Sequence, residues 1–189
     1  MSQEIEIEYK VLLTKSQYDR LSNELPFPKA VTQVNYYFET KDFALKAHRS
    51  ALRIRKKGND FVLTLKEPHA EGILETHDVL TEEEFIQWKN GNPIAKPHTN
   101  KRFHKMGISV EQLRYYGALT TERKMFSEQN IDYFLDKSYY NKIVDYELEM
   151  EAPTQELGMK AFQTILHKYG IEKQTPITKI ERFFYSLKK

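Results

Sequence analysis

From Glu4 to Leu13 acidic and apolar residues alternate, which predicts a strand with Ile5, Ile7, Tyr9 and Val11 on one face and Glu4, Glu6, Glu8 and Lys10 on the other. Lys15 to Leu25 reads as a short amphipathic helix stopped by Pro26 and Pro28. A strand follows over Val31 to Thr40, then a hairpin with arms Ala51 to Lys57 and Phe61 to Glu67 joined by Lys57-Gly58-Asn59-Asp60. Ile73 to Leu80 predicts another strand. Thr81 with Glu84 three residues on marks a capped helix through Trp88, with Phe85 and Trp88 on its packed face. The polar, basic stretch Gly91 to Gly107 reads as a loop, and a short helix near Ser109 to Leu113 leads on from it. Three further strands, Tyr116 to Ser127, Asp132 to Ser138 and Lys142 to Ala152, turn at Glu128-Gln129-Asn130 and at Tyr139 to Asn141. A helix through Ala161 to Tyr169 is closed by Gly170 and followed by Thr175-Pro176, and Thr178 to Leu187 is a last helix.

Pairing these strands as antiparallel neighbours predicts an α+β fold, a closed eight-stranded β-barrel with helices packed outside. No repeat, low-complexity tract or linker divides the chain, so residues 1–189 are expected to form one domain.

The strands share one peculiarity. Arg53, Arg55 and Lys57 lie on one face of their strand, Lys66 joins Val62 and Thr64 on the next, and Asp145, Glu147, Glu149 and Glu151 line a third, each opposite an apolar face. On any single strand such a face is an ordinary solvent face. Rows of like charge at i and i+2 repel, however, and acid segregated from base on different strands points to a site. In a closed barrel whose apolar faces pack outward, these rows would line a polar lumen. Carboxylates there supply the oxygen ligands that Mg²⁺ or Mn²⁺ prefers, and the Arg and Lys rows supply donors for phosphate.

Composition narrows the chemistry. The 29 Lys and Arg nearly cancel 27 Asp and Glu, for a formal charge of +2, which argues against nucleic acid or a membrane surface as partner. With no cysteine, a thiolate metal site, a disulfide framework and a cysteine nucleophile are excluded, and a reducing, cytoplasmic location is expected. The six histidines form no HxxxH spacing. The opening residues are acidic, with no apolar run behind them, and no targeting segment or membrane span is expected.

Glu6-Ile7-Glu8-Tyr9-Lys10 resembles the ExExK signature of the CYTH superfamily, the triphosphate tunnel metalloenzymes. Leu52-Arg53-Ile54-Arg55, Leu65-Lys66, Thr121-Glu122-Arg123, Glu147-Leu148-Glu149 and Lys179 with Arg182 follow in the family's order, so the resemblance spans nearly the whole chain. Tyr37-Phe38-Glu39-Thr40 departs from the family's YYDT element, and no role is assigned to it. The resemblance implies an eight-stranded tunnel and hydrolysis of a triphosphate with Mg²⁺ or Mn²⁺, two ions in all. It implies Glu6, Glu8, Glu147 and Glu149 as metal ligands and, with Lys10, as the catalytic set. Lys10, Arg53, Arg55, Lys66, Arg123, Lys179 and Arg182 are implied as triphosphate-binding cations, while Glu4, Glu75, Asp136 and Glu151 remain additional or supporting carboxylates. The expected partner is a small-molecule triphosphate, inorganic tripolyphosphate first or a nucleoside or thiamine triphosphate, acted on by a monomer or homodimer. A class IV adenylate cyclase and a non-catalytic polyphosphate or nucleotide sensor are the alternative readings.

Overall fold

The computed structural model describes residues 2–174 and 177–187, so the expected break at Thr175-Pro176 lies outside the described residues. In chain order the strands are β1 (Gln3–Glu6), β2 (Glu8–Leu13), β3 (Val31–Thr40), β4 (Ala51–Lys57), β5 (Asp60–His69), β6 (Gly72–Leu80), β7 (Leu113–Glu128), β8 (Ile131–Tyr140) and β9 (Ile143–Glu151). The helices are α1 (Lys15–Glu24), α2 (Ala44–Ala47), α3 (Glu82–Lys89), α4 (Pro97–Lys105), α5 (Gln155–Tyr169) and α6 (Lys179–Ser186). They group into two compact units, one comprising the residues up to Ile5 with Gln33–Leu119, the other Glu6–Thr32 with the residues from Thr120 onward.

In the first unit the strand order is β1-β6-β5-β4-β3 and then the start of β7; in the second it is the end of β7, then β8-β9-β2. The β2–β9, β3–β4, β4–β5, β5–β6, β7–β8 and β8–β9 pairs are antiparallel, as expected. The closed eight-stranded barrel is corrected. Nine strands are present among the described residues, because the N-terminal alternation breaks at Ile7 into β1 beside β6 and β2 beside β9, and the hydrogen-bonded order has β1 and β2 as its ends. The α+β class stands.

Each unit builds its own core from the apolar strand faces. In the first, Leu52, Ile54, Phe61, Leu63 and Leu65 pack with Phe85 and Trp88 of α3 and Phe103 of α4. In the second, Val11, Leu135, Leu148 and Met150 pack with Leu21 of α1 and with Phe162, Leu166 and Tyr169 of α5. Each fully buried aliphatic side chain contributes about 1.5–3 kcal/mol. With helices on the apolar face, the charged residues of the same strands are fixed on the other. The two-residue turns Gln129-Asn130 and Asn141-Lys142 take positive φ at both positions, as a type I′ hairpin requires.

One local expectation fails because the capping group comes from elsewhere. Within the expected loop Gly91 to Gly107, residues Pro97–Lys105 form α4. The buried Asp78 of β6 accepts hydrogen bonds from the backbone N of His98 (3.3 Å) and Thr99 (2.7 Å) and from Thr99 Oγ1 (2.8 Å), taking the place of a local cap. Arg102 then grips Glu67 with two donors at 2.6 and 2.9 Å. Glu39, buried at the end of β3, accepts from the backbone N of Thr40, Leu45 and Lys46 and so holds the short α2, giving the Tyr37–Thr40 segment a structural task.

Gly158 on α5 sits against the Tyr9 ring. A Cβ there would lie 2.4 Å from Tyr9 Cε2 and 2.9 Å from Ala152 Cβ. Tyr9 has little room to yield, since its ring packs on Phe162 and its hydroxyl donates to Gln155 O at 2.8 Å. Helix propensity favours Ala over Gly by about 1 kcal/mol, but the clash is expected to outweigh it. Gly158→Ala is predicted to lower the urea midpoint by the equivalent of about 1–3 kcal/mol with an unchanged slope, read by denaturant unfolding.

Candidate functional site

The charged face of β9 is buried, not solvated: Glu147 is 1% exposed and Glu149 7%, and Asp136, directly opposite Glu147 on β8, is 0%. The register explains the convergence. Glu149 faces Lys10 of β2, Glu151 faces Glu8, and Asp136 pairs on its other side with Arg123 of β7. Carboxylate oxygens of Glu6, Glu8 and Glu149 lie within 4.8 Å of one another, as do those of Asp136, Glu147 and Glu149. All four expected metal ligands are thus in this cluster, with Glu149 common to both groups.

Cations enter from three elements. Lys10 pairs with Glu8. Arg123 forms a bidentate pair with Asp136 at 2.8 and 2.7 Å, reaches Glu149 at 3.4 Å, and lies over the Phe134 ring at 4.3 Å. From α6, Lys179 Nζ lies 2.6 Å from Asp136 Oδ2 and 3.0 Å from Glu147 Oε1. Arg182 donates to Asp145 Oδ2 at 2.9 Å, Glu147 Oε2 at 2.8 Å and Ile177 O at 2.8 Å. Sequence alone makes Asp136 a supporting carboxylate; the structure places it at the centre, holding both Arg123 and Lys179. Asp145, second partner of Arg182, stands out in the sequence only as part of the acidic row.

Seven carboxylates (Glu6, Glu8, Asp136, Asp145, Glu147, Glu149, Glu151) therefore meet four cations (Lys10, Arg123, Lys179, Arg182) in this unit. The imbalance shows in the proton affinities. Burial would lower Lys179 and Arg182, but the surrounding carboxylates hold both above their ordinary values. Burial would raise Asp136, yet Lys179 and Arg123 hold it down. Glu151 finds less relief: burial, a hydrogen bond with Glu6 and the charges of Glu6 and Glu149 outweigh Arg123 and push it up to about 9. With Glu151 protonated, six of these carboxylates still face the four cations, an excess that a divalent cation would reduce.

The residues fit such an ion. The ligand set is oxygen-only, which suits Mg²⁺ or Mn²⁺. Glu147 Oε1 and Asp145 Oδ1 are buried oxygens that accept no hydrogen bond, Lys179 giving the former its charge without a well-directed bond.

In the first unit Arg53, Arg55, Lys66 and Glu75 share a polar strand face. Lys66 Nζ is 2.5 Å and Arg53 Nη2 3.9 Å from Glu75 Oε1, while Arg55 Nε donates to Asn35 Oδ1 at 3.0 Å. His77 Nε2 lies 3.0 Å from Glu4 and 3.4 Å from Glu75, and its Nδ1 bonds Thr64 Oγ1. Three cations, Arg53, Arg55 and Lys66, here accompany two carboxylates, Glu75 and Glu4, and ligand atoms of Glu4, Glu75 and His77 lie within 4.8 Å of one another.

Comparison with known proteins gives the family. The CYTH domain family model matches residues 4–184. The chain belongs to the CYTH family. This CYTH chain is 37% identical over 191 residues to the Bacillus subtilis (strain 168) protein named "Putative triphosphatase YjbK", covering 100% of the chain and 99% of that protein. A crystal structure from Bacillus halodurans, described as a "putative adenylate cyclase", is 38% identical with a TM-score of 0.93 over 97% of this chain and 100% of that one. The Hippeastrum protein HpAC1, described as having a dominant triphosphatase activity, is 25% identical with a TM-score of 0.79 over 96% of each chain. Among the described residues no helix is long and apolar enough to cross a membrane.

Glu151 gives a pH test on the metal-free protein. Its folded pKa of about 9 lies above the ordinary 4.5, so its stabilising contribution is complete below pH 4.5 and is lost as pH rises towards 9. Glu151→Gln, which keeps a neutral group at every pH, is predicted to be more stable than wild type at pH 9 by more than about 1.4 kcal/mol, with the difference shrinking towards pH 5. Chemical denaturation in chelator across that range reads it.

Proposed function

We propose that this CYTH chain is a divalent-metal-dependent triphosphatase whose preferred substrate is inorganic tripolyphosphate. The observation that carries this reading is the buried, under-neutralised carboxylate cluster of β2, β8 and β9, ringed by cations that carry the right charge for phosphate. Binding of a polyanion alone needs no such carboxylates, which weighs against a non-catalytic sensor. The names of YjbK and HpAC1 support triphosphate hydrolysis, and that of the Bacillus halodurans protein keeps ATP cyclisation as the second reading.

In this reading Glu6, Glu8, Glu147 and Glu149 hold two ions of Mg²⁺ or Mn²⁺. Bound there, the metal supplies charge for the phosphate oxygens and a lowered pKa for an attacking water. Lys10, Arg123 and Lys179 take up charge on the triphosphate, and the family resemblance implies phosphate contacts for Arg53, Arg55 and Lys66 as well. Water oxygen attacks the terminal phosphorus, the bond to the bridging oxygen breaks, diphosphate leaves, and the water's proton passes to solvent. Positioning and charge neutralisation do the catalysis, so no protein nucleophile is invoked.

Incubation with Mg²⁺ or Mn²⁺ and tripolyphosphate, ATP or thiamine triphosphate, with products resolved, separates the readings. Phosphate and diphosphate from tripolyphosphate are expected. Cyclic AMP with diphosphate would establish the cyclase, and no product from any substrate would establish the sensor. Glu147→Gln with Glu149→Gln is predicted to reduce metal-dependent turnover to background in a folded protein; unchanged turnover would remove both residues from the ligand set.

A further inference from the structure

Arg182 is an unusual phosphate clamp, because three of its five N–H donors are already engaged by protein oxygens. Nε, Nη1 and Nη2 each donate to a protein oxygen, on Asp145, Ile177 and Glu147, and the side chain is 8% exposed. We infer that Asp145 and Tyr140 are positioning residues that keep α6 seated through Arg182, and that Arg182 serves the triphosphate indirectly by holding Lys179 in reach of it. This rests on the reading of Glu147 as a metal ligand.

Arg182 donates to Glu147 Oε2, and Lys179 lies 3.0 Å from Oε1 without a well-directed bond, so a cation bound at Oε1 would compete with Lys179 for that oxygen. An isolated eight-residue helix is marginal, so α6 depends on its tertiary contacts, with Arg182 and Phe183 its buried residues. The contacts that survive avoid the ligand. Asp145 lies two residues before Glu147 on the same face of β9 and keeps Arg182, while Asp136 keeps Lys179.

Asp145 is itself oriented. The Tyr140 hydroxyl donates to Asp145 Oδ2 at 2.6 Å, the same oxygen that receives Arg182 Nε. The Tyr140 ring lies 6.4 Å from that of Phe183, and Asn141 Nδ2 donates to Ser186 Oγ at 2.8 Å, so the β8–β9 turn and α6 meet at one corner. Lys179 and Arg182 are three residues apart and therefore on one helix face, so anchoring the second sets the first.

Asp145→Asn in the full chain removes the anchor's charge and keeps its shape. Hydrogen exchange of the α6 peptide, measured by mass spectrometry with saturating Mg²⁺ and with chelator, is expected to rise about tenfold or more in Mg²⁺ and less in chelator, as loss of a charge-assisted bond implies. The KM for tripolyphosphate is expected to rise about tenfold with kcat changed far less. Tyr140→Phe should move both readouts the same way by a smaller factor, and serves if Asp145→Asn fails to fold. Unaltered α6 exchange in Mg²⁺, or a fall in kcat with KM unmoved, would overturn the assignment. The exchange arm needs no turnover, so a wild-type protein that hydrolyses nothing would sink the triphosphatase reading and leave this one to be decided by α6.

Discussion

The constraint on which the second unit depends is an excess of negative charge that cannot reach water. Helices α1 and α5 cover the apolar face of β9, and pleating then commits Asp145, Glu147, Glu149 and Glu151 to the other face, buried at Glu147 and Glu149 and half-buried at its two ends. Burial of unpaired carboxylates is costly, and the surrounding structure serves to limit that cost. Arg123 is a fork that fits Asp136 in two places, α6 is brought in by its two cations, and Glu151 keeps its proton. What remains uncompensated is what a hard divalent ion with a chain of phosphates and cations around it would complete.

The first unit solves a different problem. Arg53 and Lys66 bracket Glu75, and with Arg55 the cations of this polar face outnumber its carboxylates. A net charge of only +2 for the chain therefore conceals two unlike neighbourhoods. Read as a whole-chain average it argues against anionic partners; read strand by strand it admits a short, internally held one.

Much of this was legible because strands declare themselves by a period of two. The alternation from Asp145 to Glu151, and that of Arg53 and Arg55, located the charged faces, and the ordered motifs pointed to the family. What escaped had a partner far away in sequence. The break at Ile7 depends on β1 and β2 having different neighbours, and α4 on a carboxylate from β6. Asp136 looked ordinary on its own strand; its importance comes from Arg123, 13 residues before it, and Lys179, 43 after. Whether a charged face is solvated or buried is likewise decided by what covers the other side.

The most direct test of the central claim is the melting temperature of the chelated protein titrated with Mg²⁺ or Mn²⁺, then with tripolyphosphate. A ligand at a hundred times its Kd stabilises by about 2.7 kcal/mol, which for a chain of this size is a rise of about 5–10 °C. A rise with metal, and a further rise with tripolyphosphate added to the metal-loaded protein, is the predicted result. No change with either ion, alone or with tripolyphosphate, would contradict the claim that the buried carboxylates await a divalent cation.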